Sequence, residues 1–149
     1  PRNLQTRKVD FRVGDAQDLG RLQGQPFHVV TAINLIDRLP QPRKFLKQLS
    51  GLVLPRGQLV IGSPYTWMET FTPKREWLGG RNVRGKSNFT SDALRSHLGK
   101  HFKLVGRCDL PFLIREHRRK YQWCVSEIST FERLSTPSAK PDSHEGNGV

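Results

Sequence analysis

"PFHVVTAINLIDRLPQPRKFLKQLSGLVLPRGQLVIGSP", residues 26–64, is the stretch that decides the fold class. Phe27 to Ile33 forms an apolar run broken only by His28 and Thr31, the composition of a strand covered on both faces, as in a parallel sheet. Pro42 suits a first helical turn. Phe45, Leu46, Leu49, Leu52 and Val53 then recur at one-face spacing until Pro55 and Gly57 stop the run. "GQLVIGSP" is a second buried strand. The spacing predicts strand, helix, strand over 27–62, a βαβ unit with a right-handed crossover.

Outward from this unit the signals are weaker. "KVDFRVGDAQDL" alternates Val9, Phe11 and Val13 before Gly14-Asp15, a short strand running into a loop. After the second strand, "SPYTWMETFTPKREWLGG" is punctuated by turn residues yet carries Tyr65, Trp67, Phe71 and Trp77, at the position where ligands of open α/β sheets bind. "RNVRGKSN" reads as a polar, mobile excursion. A helix is expected from Thr90 or Ser91, either hydroxyl serving as cap, with Ala93, Leu94, His97 and Leu98 inside and Gly99 as the stop. "FKLVGRCDLPFLI" and "KYQWCVSEISTF" read as an antiparallel strand pair joined by the charged "REHRR". Residues 1–134 are expected to form one domain and 135–149 a disordered tail.

Composition narrows the class. The 149 residues suit one ordinary domain, and their 35% hydrophobic content is low for a complete core. A formal charge of +12 suggests attraction to polyanions, although basic residues coating a solvated face are the preferred account of it. No recognised nucleic-acid-binding motif accompanies the charge, so nucleic acid is not expected as a partner. Cys108 and Cys124 fit neither a disulfide framework nor a zinc site, and their apolar surroundings predict buried thiols. His97 and His101 share helical spacing, but Gly99 lies between them and no metal is expected. There is no span of ~18 apolar residues and no signal-peptide core, so a cytoplasmic setting is expected.

The order of these stretches resembles the second half of a Rossmann-like (class I) S-adenosylmethionine-dependent methyltransferase. "NLIDRLPQPRKFL", "SPYTWMETFTPKREWLGG" and "DLPFLIREHRRKYQW" are similar to the carboxy-terminal methyltransferase domain of ovothiol synthases, the 4-mercaptohistidine methyltransferase family. The likeness runs from Val9 to about Arg133. It implies an α/β fold, the second half of a mostly parallel sheet ending in an antiparallel hairpin. No glycine-rich donor loop is found, because "VGDAQDLG" lacks that spacing and belongs to the family's third strand. The chain is therefore expected to begin inside the domain and to be inactive alone. The Val9 strand would be loosely placed or wrongly paired, and the Phe27 strand would show a bare edge.

By the same resemblance, Asp15 accepts a hydrogen bond from the adenine of S-adenosylmethionine and the Ala16 N–H faces its ring, while Asn34 and Leu35 line the methyl-donor cleft. Asp15 closing a turn and Asn34 capping a strand are the plain alternatives. Tyr65, Trp67 and Trp77 would offer ring faces to an imidazole or a sulfonium, or else cover the sheet edge. Glu69 or neutral His117 would serve as base, and Arg115 and Glu116 would hold the substrate's carboxylate and amino groups. The implied reaction is methyl transfer to a ring nitrogen of 5-thiohistidine, with the family's sulfoxide synthase region upstream as partner. Two rivals remain: a non-catalytic interaction module that docks through a bare strand edge, and a basic nucleic-acid binder.

Overall fold

A computed structural model describes residues 9–22, 24–83 and 85–135. The predicted βαβ unit is present. Strand β1 (Phe27–Ile33) leads through helix α1 (Pro42–Gln48) and a 3-10 turn (Leu49–Gly51) into β2 (Val53–Ser63), and the two strands pair in parallel. A small antiparallel pair follows, β3 (Arg81–Val83) with β4 (Lys86–Asn88), then helix α2 (Thr90–Leu98). The long strands β5 (Phe102–His117) and β6 (Lys120–Arg133) form a hairpin, and β6 runs antiparallel to β2. The sheet order is β1-β2-β6-β5, a mixed α/β architecture as the apolar runs predict.

Side-chain alternation splits the sheet into two unlike faces. On one, Ala32, Leu59, Ile61 and Phe131 meet Phe45 and Leu46 of α1, Leu49 of the 3-10 turn, and Leu94 and Leu98 of α2, and this cluster is the core. The opposite phase carries Val29, Ile33, Cys108, Leu110 and Ile114, which are exposed, around half-buried Val60 and Ile128. That face is covered only in part, with Ser126 buried on it. Cys108 and Cys124 belong to it, in register with Ile128 and Phe112, so the expected burial of both thiols is corrected: Cys108 is exposed and Cys124 half-buried. Cys108→Ser should accordingly shift unfolding stability by less than about 0.5 kcal/mol in a denaturant titration.

Four further expectations change. Val9, Phe11 and Val13 belong to no strand, and Phe11 and Val13 are 92% and 102% exposed, so the strand read from their alternation is absent while the loose placement that the resemblance implies is what is found. Their alternation suits a strand, but a ladder needs a neighbour, and β1 pairs only with β2 among the described residues. "RNVRGKSN" is not a formless excursion: it closes β3 on β4 around Gly85, whose φ of 77° is the left-handed conformation such a tight turn favours. The connection between β5 and β6 shrinks to Arg118 and Arg119, since the ladder continues through Arg115↔Tyr121 and His117↔Lys120. Helix α2 starts without a side-chain cap, because the helix begins at Thr90 and the cap position falls on Phe89, which has no side-chain acceptor. Nearly all of the expected tail, 136–149, lies outside the described residues. No helix among them is long and apolar enough to cross a membrane.

His97, expected on the inner stripe of α2, is exposed there, and partial desolvation, then Arg43 and Lys47 nearby, hold its pKa below the usual imidazole value. The unfolded chain therefore binds a proton there more readily than the folded one. Stability should be fully present above about pH 6.5 and fall as pH drops through the lower folded value. His97→Gln should flatten that slope in pH-resolved denaturant titrations.

Candidate active site

The candidate site lies past the carboxyl ends of β1 and β2. Asn34 follows β1 with φ at 52°, a left-handed conformation that Asn tolerates, and its N–H donates to the Gly62 carbonyl at 2.7 Å. That bond ties the exit of β1 to the end of β2. Leu35 is half-buried against the core. The chain leaving β2 turns at Tyr65, whose φ of 53° is unusual for an aromatic residue. The Ser63 hydroxyl accepts the Tyr65 N–H at 2.9 Å, and the Trp67 N–H donates to the Tyr65 carbonyl at 3.0 Å.

The aromatic loop is fastened to the helical layer by two arginines. Arg38 donates to the Asp37 carboxylate at 3.1 Å and to the Thr66 carbonyl at 2.8 Å, and its guanidinium lies 5.0 Å from the Phe71 ring centre. Arg43 of α1 donates to the Glu76 carbonyl at 2.9 Å, the Glu76 carboxylate at 3.2 Å and the Trp77 carbonyl at 3.3 Å. The buried Thr72 hydroxyl donates to the Leu39 carbonyl at 2.8 Å. Trp67 and Trp77 stack with centroids 6.5 Å apart, the Trp67 indole N–H donates to Thr90 Oγ1 at 3.0 Å, and that of Trp77 to the Thr72 carbonyl at 2.8 Å. A cleft of about 360 Å³ results, walled by Tyr65, Trp67, Asn82, Asn88, Phe89 and Thr90.

The polar handle of this wall is Tyr65. Its hydroxyl donates to Glu127 Oε1 at 3.0 Å, the Ser129 hydroxyl donates to the same oxygen at 3.1 Å, and Arg107 stands 3.8 Å from Oε2. Burial, then the neighbouring carboxylate, raise the Tyr65 pKa well above the ordinary phenol value, so the ring stays neutral. Glu127 faces the cleft's side of the sheet because it is in register with Ser63 of β2.

The other expected residues are spread. Asp15 closes a turn, Oδ1 accepting the Gln17 N–H at 2.8 Å. This segment is pinned to α1 by Gln48, which accepts the Leu19 N–H at 2.9 Å and donates to the Gln17 carbonyl at 3.2 Å, leaving Ala16 and Leu19 against the core. Glu69 is exposed and 3.7 Å from Lys74 Nζ. Arg115, Glu116 and His117 sit at the hairpin tip. Arg115 pairs with Tyr121, six residues beyond Glu127, roughly 20 Å along β6 at ~3.3 Å per residue. Glu116 there bonds Lys120 at 2.6 Å. The structure thus brings Asn34, Leu35, Tyr65, Trp67 and Trp77 to one end of the sheet and leaves the tip trio apart from them. Asp37, Arg38, Arg43, Thr90 and Glu127 are the residues that sequence reasoning missed.

Comparison with known proteins places this geometry in context. A family described as "Methyltransferase domain" matches residues 1–61. Among solved structures, the chain is similar to a SAM-dependent methyltransferase from Methanosarcina mazei, at 16% identity and a TM-score of 0.57, covering 85% of this chain and 68% of that one. It is also similar to a protein studied for the conversion of a disulfide bond into a thioacetal group during echinomycin biosynthesis, at 15% identity and a TM-score of 0.57, covering 86% of this chain but 57% of the other. A methyltransferase-like structure from Bacillus halodurans gives 15% identity and a TM-score of 0.50, covering 83% and 70%. The chain thus spans somewhat over half to about two thirds of the structures it matches. No curated protein matches it. At these identities the likeness to the solved structures establishes the fold alone, and the family match is confined to residues 1–61.

Proposed function

We propose that the chain is the substrate-side part of an S-adenosylmethionine-dependent N-methyltransferase whose acceptor is the imidazole ring of 5-thiohistidine. The observation that carries this reading is the aromatic cleft of Tyr65 and Trp67 at the carboxyl end of the parallel strands, joined to the Asn34 turn through the end of β2. An open α/β sheet binds its ligands there.

The residues present fit the adenine end of the donor. Asp15 Oδ2 has no hydrogen-bond partner among the described residues, so it remains an acceptor for an exocyclic amine, beside half-buried Ala16. Asn34 and Leu35 would border its reactive end. A glycine-rich cradle for the amino-acid end is not found in the sequence, and turnover is proposed to require that half of the fold. When bound, S-adenosylmethionine supplies an electrophilic methyl group on a sulfonium that leaves as a neutral thioether. The chain's own contribution is placement: Trp67 and Tyr65 hold the ring in the cleft, and in-line positioning contributes several kcal/mol in favourable cases. Glu69 is the proposed base and Trp77 backs Trp67, whereas Arg115, Glu116 and His117, at the hairpin tip roughly 20 Å along β6 from Glu127, are not placed to act on an acceptor in this cleft.

The test is an assay of methyl transfer to 5-thiohistidine by the chain joined to a glycine-loop half. N-methylated product supports the reading, and product from other acceptors with none from 5-thiohistidine refutes the substrate. The open edge of β1 favours a second reading, a non-catalytic interaction module. Tight donor binding by the chain alone would count against it.

A further inference from the structure

Tyr65 can present only one kind of hydrogen-bonding surface to the cleft it lines. A phenol has one O–H proton, and here that proton is given to Glu127 Oε1 at 3.0 Å. An ionised carboxylate cannot return it, because it is acceptor-only. The Ser129 hydroxyl donates to the same oxygen at 3.1 Å, which fixes the carboxylate's orientation from a second side. Arg107, more than half exposed, stands 3.8 Å from Oε2 on the carboxylate's other side. What remains on Tyr65 Oη is lone pairs, made more negative by the charge behind them.

Tyr65 is held in this position at a cost. A φ of 53° outside glycine carries on the order of 1–2 kcal/mol of strain. Two local hydrogen bonds maintain it, from its N–H to Ser63 Oγ and from the Trp67 N–H to its carbonyl. A residue that only covered the sheet edge would not need a left-handed backbone, nor a hydroxyl whose proton is committed inward.

We propose that the Tyr65–Glu127 pair is a specificity device: Tyr65 Oη accepts a hydrogen bond from an N–H of the methyl acceptor, and Glu127 is the positioning residue that makes Tyr65 an obligate acceptor. The proposal rests on the methyltransferase reading and deepens it. For an azole, an N–H held at Tyr65 selects the tautomer whose other ring nitrogen keeps its lone pair free for methylation. The cleft therefore rejects azoles that lack an N–H.

Binding of simple probes tests this on the full chain without any turnover. Imidazole and 1-methylimidazole differ in the N–H, and at about pH 9 both are neutral. Titration followed by NMR should show wild type preferring imidazole by about tenfold, the scale of one hydrogen bond to a charge-backed acceptor. Tyr65→Phe should abolish the preference. Glu127→Gln should abolish it too, because the amide can donate to Tyr65 and turn the hydroxyl outward as a donor. Glu127→Asp should restore part of it, which a merely structural role for Glu127 would not require, and circular dichroism confirms that each variant folds. A wild-type ratio near one, or a ratio unchanged in Glu127→Gln, overturns the proposal. Methyl transfer to 5-thiohistidine together with a ratio of one removes this inference alone. A tenfold ratio without transfer to 5-thiohistidine removes the substrate reading and leaves the acceptor preference standing.

Discussion

Arg38→Ala is expected to lower stability by about 3 kcal/mol and to loosen the aromatic loop from the core. Asp37 is 1% exposed, and Arg38 neutralises its carboxylate through Oδ2 at 3.1 Å. The other oxygen, Oδ1, has no hydrogen-bond partner among the described residues. Removing the partner of a buried charge costs about 3–5 kcal/mol, and the partial exposure of Arg38 places this case at the lower end. The same guanidinium holds Thr66 and lies over Phe71, so the loss should also reach the cleft through Tyr65 and Trp67. Urea titration checks the magnitude. Adding Asp37→Asn should recover a large share of the loss, since the charge needing compensation is gone. A single-variant shift under about 0.5 kcal/mol would show that the pair does not hold the loop.

Gly79→Ala should cost roughly 2–3 kcal/mol, with about a hundredfold loss of methyl transfer in the complemented enzyme. A β-carbon at Gly79 would run into the Thr90 backbone nitrogen and hydroxyl and would stand 2.7 Å from the Phe89 carbonyl carbon. Backbone cannot yield as a flexible side chain does. The start of α2 must then move, and with it Thr90 Oγ1, which holds the Trp67 indole at 3.0 Å. Gly80→Ala is the useful contrast. Its β-carbon would meet only Trp67 Cδ1 at 3.8 Å, so the penalty is the positive φ of 75°, about 1 kcal/mol. Equal effects at the two positions would mean that the contact with α2 is not what Gly79 protects.

The contrast between what could be read and what could not follows the range of the interactions. Pro42–Gln48 and the end of β2 were legible because local pattern and burial agree there, whereas Phe27–Ile33 was legible as a strand but not in its burial: the cover expected on both faces is missing, and of its residues only Ala32 is buried. Val9 to Val13 has the alternation of a strand, but pairing is a contact with distant chain, and no described strand lies beside it. β3 and β4 escaped because a three-residue ladder carries almost no apolar signal. Arg38 and Arg43 look like ordinary solvated charges on short helical turns, and only the fold brings the loop's carbonyls to them. Glu127 did leave a trace. It shares the inward phase of Ser129 and Phe131 on β6, and a carboxylate on that phase of a strand needs a buried donor.

The most direct test of the account is a crystal structure of the complemented enzyme with S-adenosylhomocysteine bound. The account predicts the adenine against Asp15 and Ala16 and the sulfur facing Asn34, with the Tyr65–Trp67 cleft opening onto it. A nucleoside seated elsewhere, with Asp15 only closing its turn and Asn34 untouched, would contradict it.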